Sequence, residues 1–136
     1  MVDLVITAAS VVKGTGSSVS QGTAGATVTA GQPVYLDSAT GTYKLSDANS
    51  ATAAARVVDG IALHASLAGQ PLQILTGGPI TLGAVLTVAV AYYLSNNAGG
   101  ICPVADLTAG SYPTILGFAT SATLLTAKLN AAGVSL

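Results

Sequence analysis

The sequence predicts an all-β fold, a small β-barrel or sandwich with an internally repeated β unit and an extended N-terminal arm. Three observations carry that prediction. Glycine punctuates the chain at short intervals and every proline falls where a turn is expected, the pattern of many short strands. The most apolar stretch, Val85 to Leu94, alternates with a period of two: Leu86, Val88, Val90, Tyr92 and Leu94 fall on one face, and Thr87, Ala89, Ala91 and Tyr93 on the other. Finally, the text from Val34 to Leu63, VYLDSATGTYKLSDA followed by VVDGIAL, is echoed from Tyr92 by YYLSNNAGGICPV followed by TILGFAT. Tyr35 and Tyr93 lie 58 residues apart and Gly60 and Gly117 lie 57 apart, so the echo keeps its register.

Taken in order, residues 2–12 read as an extended, β-branched segment. Lys13 to Ala26 is built from glycine, serine, threonine and alanine, which offer little apolar area against the entropy of ordering a backbone. Residues 1–26 are therefore expected as an arm, a strand-forming tip on a flexible tether, and residues 27–136 as a single β domain. Within that domain Val34 to Leu36 and Tyr43 to Leu45 form a hairpin across the turn at 38–42. Residues 47–55 offer one or two helical turns, and Val57 to Leu63 makes a strand interrupted by Gly60. Leu72 to Leu75 is a short strand that ends in a turn at Gly77-Gly78-Pro79. Val85 to Leu94 is the longest strand, followed by a turn at 96–100 and a return through Ile101 to Val104. Thr114 to Thr120, Thr123 to Asn130 and Val134 to Leu136 complete about nine strands.

Composition narrows the function. A chain of 136 residues suits one domain with one ordinary core. Four Lys and Arg residues leave no basic footprint for a phosphate backbone, so no nucleic-acid partner is expected. Only 7% of the residues are charged and the net charge is −1, which gives a free monomer little self-repulsion and favours a chain that works inside an assembly. No Asp, Glu, Lys or Arg occurs between Gly60 and Ala105. Even so, Ile80 to Leu94 is shorter than the roughly 20 residues of a spanning helix, and its alternation reads as a strand, so no membrane partner is expected. The N-terminus has no basic region ahead of an apolar run and does not resemble a secretory signal. A single cysteine, Cys102, excludes an internal disulfide.

Chemistry-bearing residues are sparse. His64, the only histidine, has no cysteine or serine at a recognisable spacing, and one His with one Cys cannot supply four zinc ligands. The carboxylates Asp3, Asp37, Asp47, Asp59 and Asp106 read as turn and cap residues rather than as a catalytic pair or a calcium loop. Gly14-Thr15-Gly16 lacks the third glycine and the Gly-Lys-Ser/Thr of a phosphate loop. Neither catalytic residues, nor a cofactor, nor a metal site is expected, and the chain does not read as an enzyme. Five tyrosines could form a stacking platform, but without basic neighbours core and contact roles are expected, with Tyr92, Tyr93 and Tyr112 assigned to oligomer or partner contacts.

The text QPVYLDSATGTYKLSD, followed by an alanine-rich stretch and VVDGIA, resembles the head decoration proteins of lambda-like tailed phages. The likeness covers about a quarter of the chain and is structural in kind: a proline before an apolar strand that ends in Leu-Asp, a polar turn, a return strand, then Ala-rich spacing into a Val-x-Gly-Ile element. The resemblance implies a β-tulip-like domain that sits as a homotrimer on the capsid outer surface, binding the major capsid protein and cementing the expanded shell. It also implies an arm that pairs with the shell, here Val2, Asp3, Leu4, Val5 and Ile6. The second copy of the motif departs from the first, with Ser95 where the first has Asp37. Similar glycine-turn patterns occur in phage head fibres, tail fibres and spikes, where the tyrosines would meet host-surface glycan.

Overall fold

A computed structural model describes residues 3–135, so Val2 of the expected arm, and Leu136 of the expected last strand, lie outside the described residues. The chain is all-β. Its strands are β1 (Val12–Lys13), β2 (Ser18–Thr23), β3 (Pro33–Asp37), β4 (Thr42–Leu45), β5 (Gly60–Ala62), β6 (Pro71–Thr81), β7 (Ala91–Leu94), β8 (Ile101–Pro103), β9 (Thr114–Ala119) and β10 (Leu124–Ala131). Three single-turn 3-10 helices, at Ala8–Ser10, Ala53–Arg56 and Val104–Asp106, stand among them. All strand pairs are antiparallel, and the sheet curls into a half-barrel in the order β4-β3-β5-β6-β10-β9-β7-β8, with β1 and β2 both paired to β6.

The two runs of four strands are wired alike. In each, a hairpin (β3–β4, β7–β8) is followed by a strand that returns to the first strand of that hairpin (β5 on β3, β9 on β7), and the fourth strand pairs with the third (β6 on β5, β10 on β9). The antiparallel β6–β10 pair joins the runs. Gly60 stands opposite Val34 and Gly117 opposite Tyr92, so the two glycines occupy matching places. Both keep the next strand close. A Cβ on Gly60 would come within 2.6 Å of the Ile74 side chain on β6, and one on Gly117 within 2.8 Å of the Thr126 carbonyl carbon on β10.

The spine is β6. At 11 residues it is the longest strand, and it runs straight through Gly77-Gly78-Pro79, where the sequence predicts a turn. Gly78 has φ +95°, and a Cβ there would lie 2.9 Å from the Ser17 Cα. This glycine lets the strand change partners without stopping. Before it β6 pairs with β2 and β5, and from it onward with β1 and β10. The strand therefore feeds two cores: Leu75 and Ile80 enter the larger, with Ile61, Leu82, Leu94, Leu116 and Leu125, while Leu72 and Ile74 enter the smaller, with Val28, Val34 and Ala62.

Three further expectations are corrected. The longest strand is not Val85 to Leu94: only Ala91–Leu94 is extended in a ladder, and residues 83–90 form turns, with Gly83 at φ +85° and Ala89 at φ +67°. Alternation misleads there because small Ala and Thr residues satisfy period two equally well in a loop. The Leu86 and Ala89 N–H groups instead donate to the Ala122 and Ala119 carbonyls, which pins the loop beside β9 and β10. Second, the Ser/Gly/Thr-rich stretch after Lys13 is not a free tether, because Ser18–Thr23 form β2 along β6. Its ladder bonds and the shelter of Tyr43, whose ring packs over Gly22, replace the apolar burial that its composition lacks. Third, residues 132–135 belong to no strand.

The link after β4 stitches the two runs together. Ala48 N–H donates to the Ser95 carbonyl at 3.0 Å, Tyr112 N–H to the Ala48 carbonyl at 2.9 Å, and Gly99 N–H to the Ser46 carbonyl at 2.8 Å. Buried hydroxyls are matched as they must be in a dry interior: Ser46 donates to the Val57 carbonyl, Ser66 to Pro71, Ser111 to Asn96 and Thr114 to Arg56.

Candidate functional surfaces

The N-terminal segment lies along the outer side of β8. Leu4 N–H donates to the Ile101 carbonyl at 2.8 Å. Asp3 takes a short hydrogen bond from Ser95 Oγ and a second from Asn97 Nδ2 at 3.0 Å, which ties it to the β7–β8 turn. Leu4 and Ile6 pack against the larger core, and Ile6 reaches Gly31. Between them Val5 points outward, 84% exposed. A cleft of about 250 Å³ opens beside this segment, lined by it, by the turn at Thr29 to Gln32 and by Ala98 to Ile101. The alternation of Leu4 and Ile6 inward with Val5 outward is that of a strand; among the described residues, a backbone bond from Leu4, the Asp3 carboxylate and the packing of Leu4 and Ile6 hold it.

The three tyrosines assigned to contacts separate. Tyr92 is corrected to a core residue: it is buried, its partner in the ladder is Gly117, and its hydroxyl accepts from Thr87 N–H at 2.8 Å. Tyr93 is half-buried on the opposite, outer face, next to Pro113, Ile115 and Asn130. Tyr112 lies under the Arg56 guanidinium, 3.8 Å from its ring centroid, a cation–π contact. Arg56 is further occupied by the carbonyls of Ser50 and Ala51.

Phe118, which the sequence did not single out, stands exposed on the outer face. It is the only phenylalanine and is 53% exposed. A groove of about 430 Å³ opens beside it, lined by Ile115, Thr126, Lys128 and Leu129 among others. The irregularity at Gly117 makes this geometry. Ladder register shifts between Tyr92 and Tyr93 and between Ala127 and Asn130, so β9 carries a bulge. In an unbroken strand Leu116 and Phe118 would share a face; here Leu116 is fully buried and Phe118 is outside.

Most of the titratable side chains are tied into local contacts. The His64 ring bridges the Ala65 carbonyl through Nδ1 and Gln73 N–H through Nε2, which assigns the proton to Nδ1 and leaves both nitrogens engaged. Burial, with Asp3 and Asp106 adding to it, pushes the Cys102 thiol up to about 11, far from a reactive thiolate. The Lys44 ammonium, 2.7 Å from Asp37, holds that carboxyl below the usual carboxylate range, and Asp37 in turn raises Lys44. Asp59 accepts from Leu36 N–H at 2.7 Å, a structural tie between β3 and the residue that leads into β5. Among the described residues no three His, Cys, Asp or Glu side chains gather to hold a metal ion, and no helix is long and apolar enough to cross a membrane. No protein-family model and no curated protein matches the chain, so its reading rests on its own residues and geometry.

Proposed function

We propose that this chain is a virion structural protein that binds the outside of a phage capsid and cements the expanded shell, with its β unit duplicated in sequence. The duplication reading is supported by the matched wiring of β3–β6 and β7–β10 and by the equivalent glycines Gly60 and Gly117. The resemblance to head decoration proteins falls on β3, β4 and β5, the first of those two units.

The observation that carries the cementing role is the N-terminal segment. Residues 3–6 lie along an edge with strand-like alternation and outside any ladder, held among the described residues by a backbone bond from Leu4, by Asp3 and by the packing of Leu4 and Ile6. Such a segment is easily exchanged for an equivalent edge on a neighbour, where it satisfies unpaired backbone groups, and symmetry-related copies multiply the gain. The capsid-binding residues are then Leu4, Val5 and Ile6, with Asp3 as the latch, the partner is the major capsid protein, and a homotrimer is the expected assembly.

Deletion of residues 1–6 tests this by co-sedimentation with capsid shells that lack the protein. The truncation stops before Val11, which is buried, and before β1, so the domain keeps its strands. Loss of binding with an unchanged far-UV spectrum is expected; undiminished binding would sink the proposal. The second reading, a head-fibre or tail-fibre module that binds host-surface glycan, draws on the groove beside Phe118, where an aromatic ring meets Thr120, Thr126 and Asn130. Retained capsid binding together with a glycan-array signal that Phe118→Ala abolishes would favour it instead.

A further inference from the structure

The edges of this sheet are unequally guarded. β8 is short, ends in Pro103, and is covered by Leu4. β4 is closed by a parallel bridge from Ala24 to Tyr43, with Gly25 N–H donating to the Tyr43 carbonyl at 2.7 Å, and it carries the Lys44–Asp37 pair. β2 has no such cover over Val19 to Gln21. Its exposed residues carry no charge and no proline, the two features that usually blunt an edge.

The register shows which of its backbone groups are open. Gln73 on β6 turns its backbone toward β5, since its carbonyl accepts from Leu63 N–H and its N–H donates to His64. Leu75, two residues on, likewise stands opposite Ile61 of β5. The β6 residues that face β2 are then Leu72 and Ile74, opposite Gly22 and Ser20. By strand alternation, Val19 and Gln21 point their N–H and C=O groups away from β6. Only Thr23, further along, comes beside the closed bridge at Ala24.

We infer that this edge is a self-association site, where β2 of a second copy pairs antiparallel about a two-fold axis at Ser20. In that register Val19 of each copy faces Gln21 of the other and both exchange their N–H and C=O groups, which makes four backbone hydrogen bonds. Ser20 meets Ser20 at the close, non-hydrogen-bonded position, where a small side chain fits. Identical strands repel when they are charged; β2 is neutral, and Lys13 and Lys44 lie away from the axis, so a second copy suits this edge. The inference stands on the backbone of β2 alone and holds or fails independently of the capsid reading.

Sedimentation velocity on the full chain tests it across a concentration series. The wild type should gain mass with concentration. Ser20→Lys and Ser20→Glu each place like charges opposite one another and should weaken association about fivefold or more, while an equimolar mixture of the two should recover it. Gln21→Pro is the second probe: it removes one outward N–H without breaking a bond to β6, as proline on an edge strand allows, and should likewise weaken association about fivefold or more. A wild type that stays monomeric throughout overturns the inference. So does association that Ser20→Lys and Gln21→Pro leave unchanged, or a Lys and Glu mixture no tighter than either variant alone.

Discussion

Gly117→Ala is the sharpest test of how the two runs of strands are built. Gly117 has φ +154°, a conformation that L-residues rarely adopt, and an added Cβ would sit 2.8 Å from the Thr126 carbonyl carbon and 3.0 Å from the Ala127 Cα. The obstacle is backbone, so no rotamer change relieves it. The unfavourable dihedral costs roughly 1–3 kcal/mol, and forcing β9 and β10 apart costs about as much again. Together these come to about 2–6 kcal/mol, against a total stability of roughly 5–15 kcal/mol for an ordinary domain. Gly60→Ala meets the Ile74 side chain first, at 2.6 Å, and should cost about 1–3 kcal/mol. Gly41 is the control: φ is +69° with open space around it, so Gly41→Ala carries only the left-handed penalty of about 1–2 kcal/mol. Urea unfolding followed by far-UV circular dichroism measures all three. Gly117→Ala within 1 kcal/mol of wild type, or milder than Gly41→Ala, would refute the close-approach account.

Ala89 adopts φ +67° without being glycine, so Ala89→Gly should stabilise the fold by up to about 1 kcal/mol once the added freedom of the unfolded chain is subtracted; a loss of stability would show that the Ala89 methyl is needed where it sits. Cys102, buried and pushed up to about 11, should react with a thiol reagent at pH 8 only through unfolding, so its rate should rise with urea as the unfolded population does; labelling as fast as a free thiol would contradict the burial. Asp37 is lowered by Lys44, so its share of the pairing is present above the ordinary carboxylate pKa and lost as pH falls through the lowered one. Lys44 is raised, so its share is complete below the ordinary lysine pKa and lost as pH rises through the raised one. Lys44→Met should move the Asp37 titration upward in a carboxyl NMR series, and an unmoved midpoint would assign the shift to the Ala39 N–H instead.

The all-β class was legible because turn chemistry is local. Asp37 accepts from Ala39 N–H, and Gly41 turns the chain at φ +69°, so the β3–β4 hairpin is written into the residues between its strands. What failed depends on distant partners. β2 has no apolar signature and exists because β6 and Tyr43 stand beside it. β6 passes through a Gly-Gly-Pro that any local rule reads as a turn, because strands on both sides hold it extended. Of the candidate surfaces, the outward Val5 between inward Leu4 and Ile6 follows simple alternation. Phe118 does not: the bulge at Gly117 reverses its face, and no residue count from Ile115 reveals a register slip that β7 and β10 impose.

The position of the N-terminal stretch bears on what a partner could do with it. Residues 12–23 run antiparallel to β6 from Thr81 back to Pro71, with Gly14 N–H and Ser17 Oγ both donating to the Pro79 carbonyl in the gap between β1 and β2. A partner that took up residues 3–6 and pulled along the chain would load this ribbon parallel to its own axis. The cross-strand bonds to β6 would then share the load together instead of opening one at a time. The strand that would receive the load, β6, supplies Leu75 and Ile80 to one core and Leu72 and Ile74 to the other. On the cementing proposal residues 3–6 are the tip that a partner would take up, and residues 12–23 are its anchor, running along the strand shared by both cores.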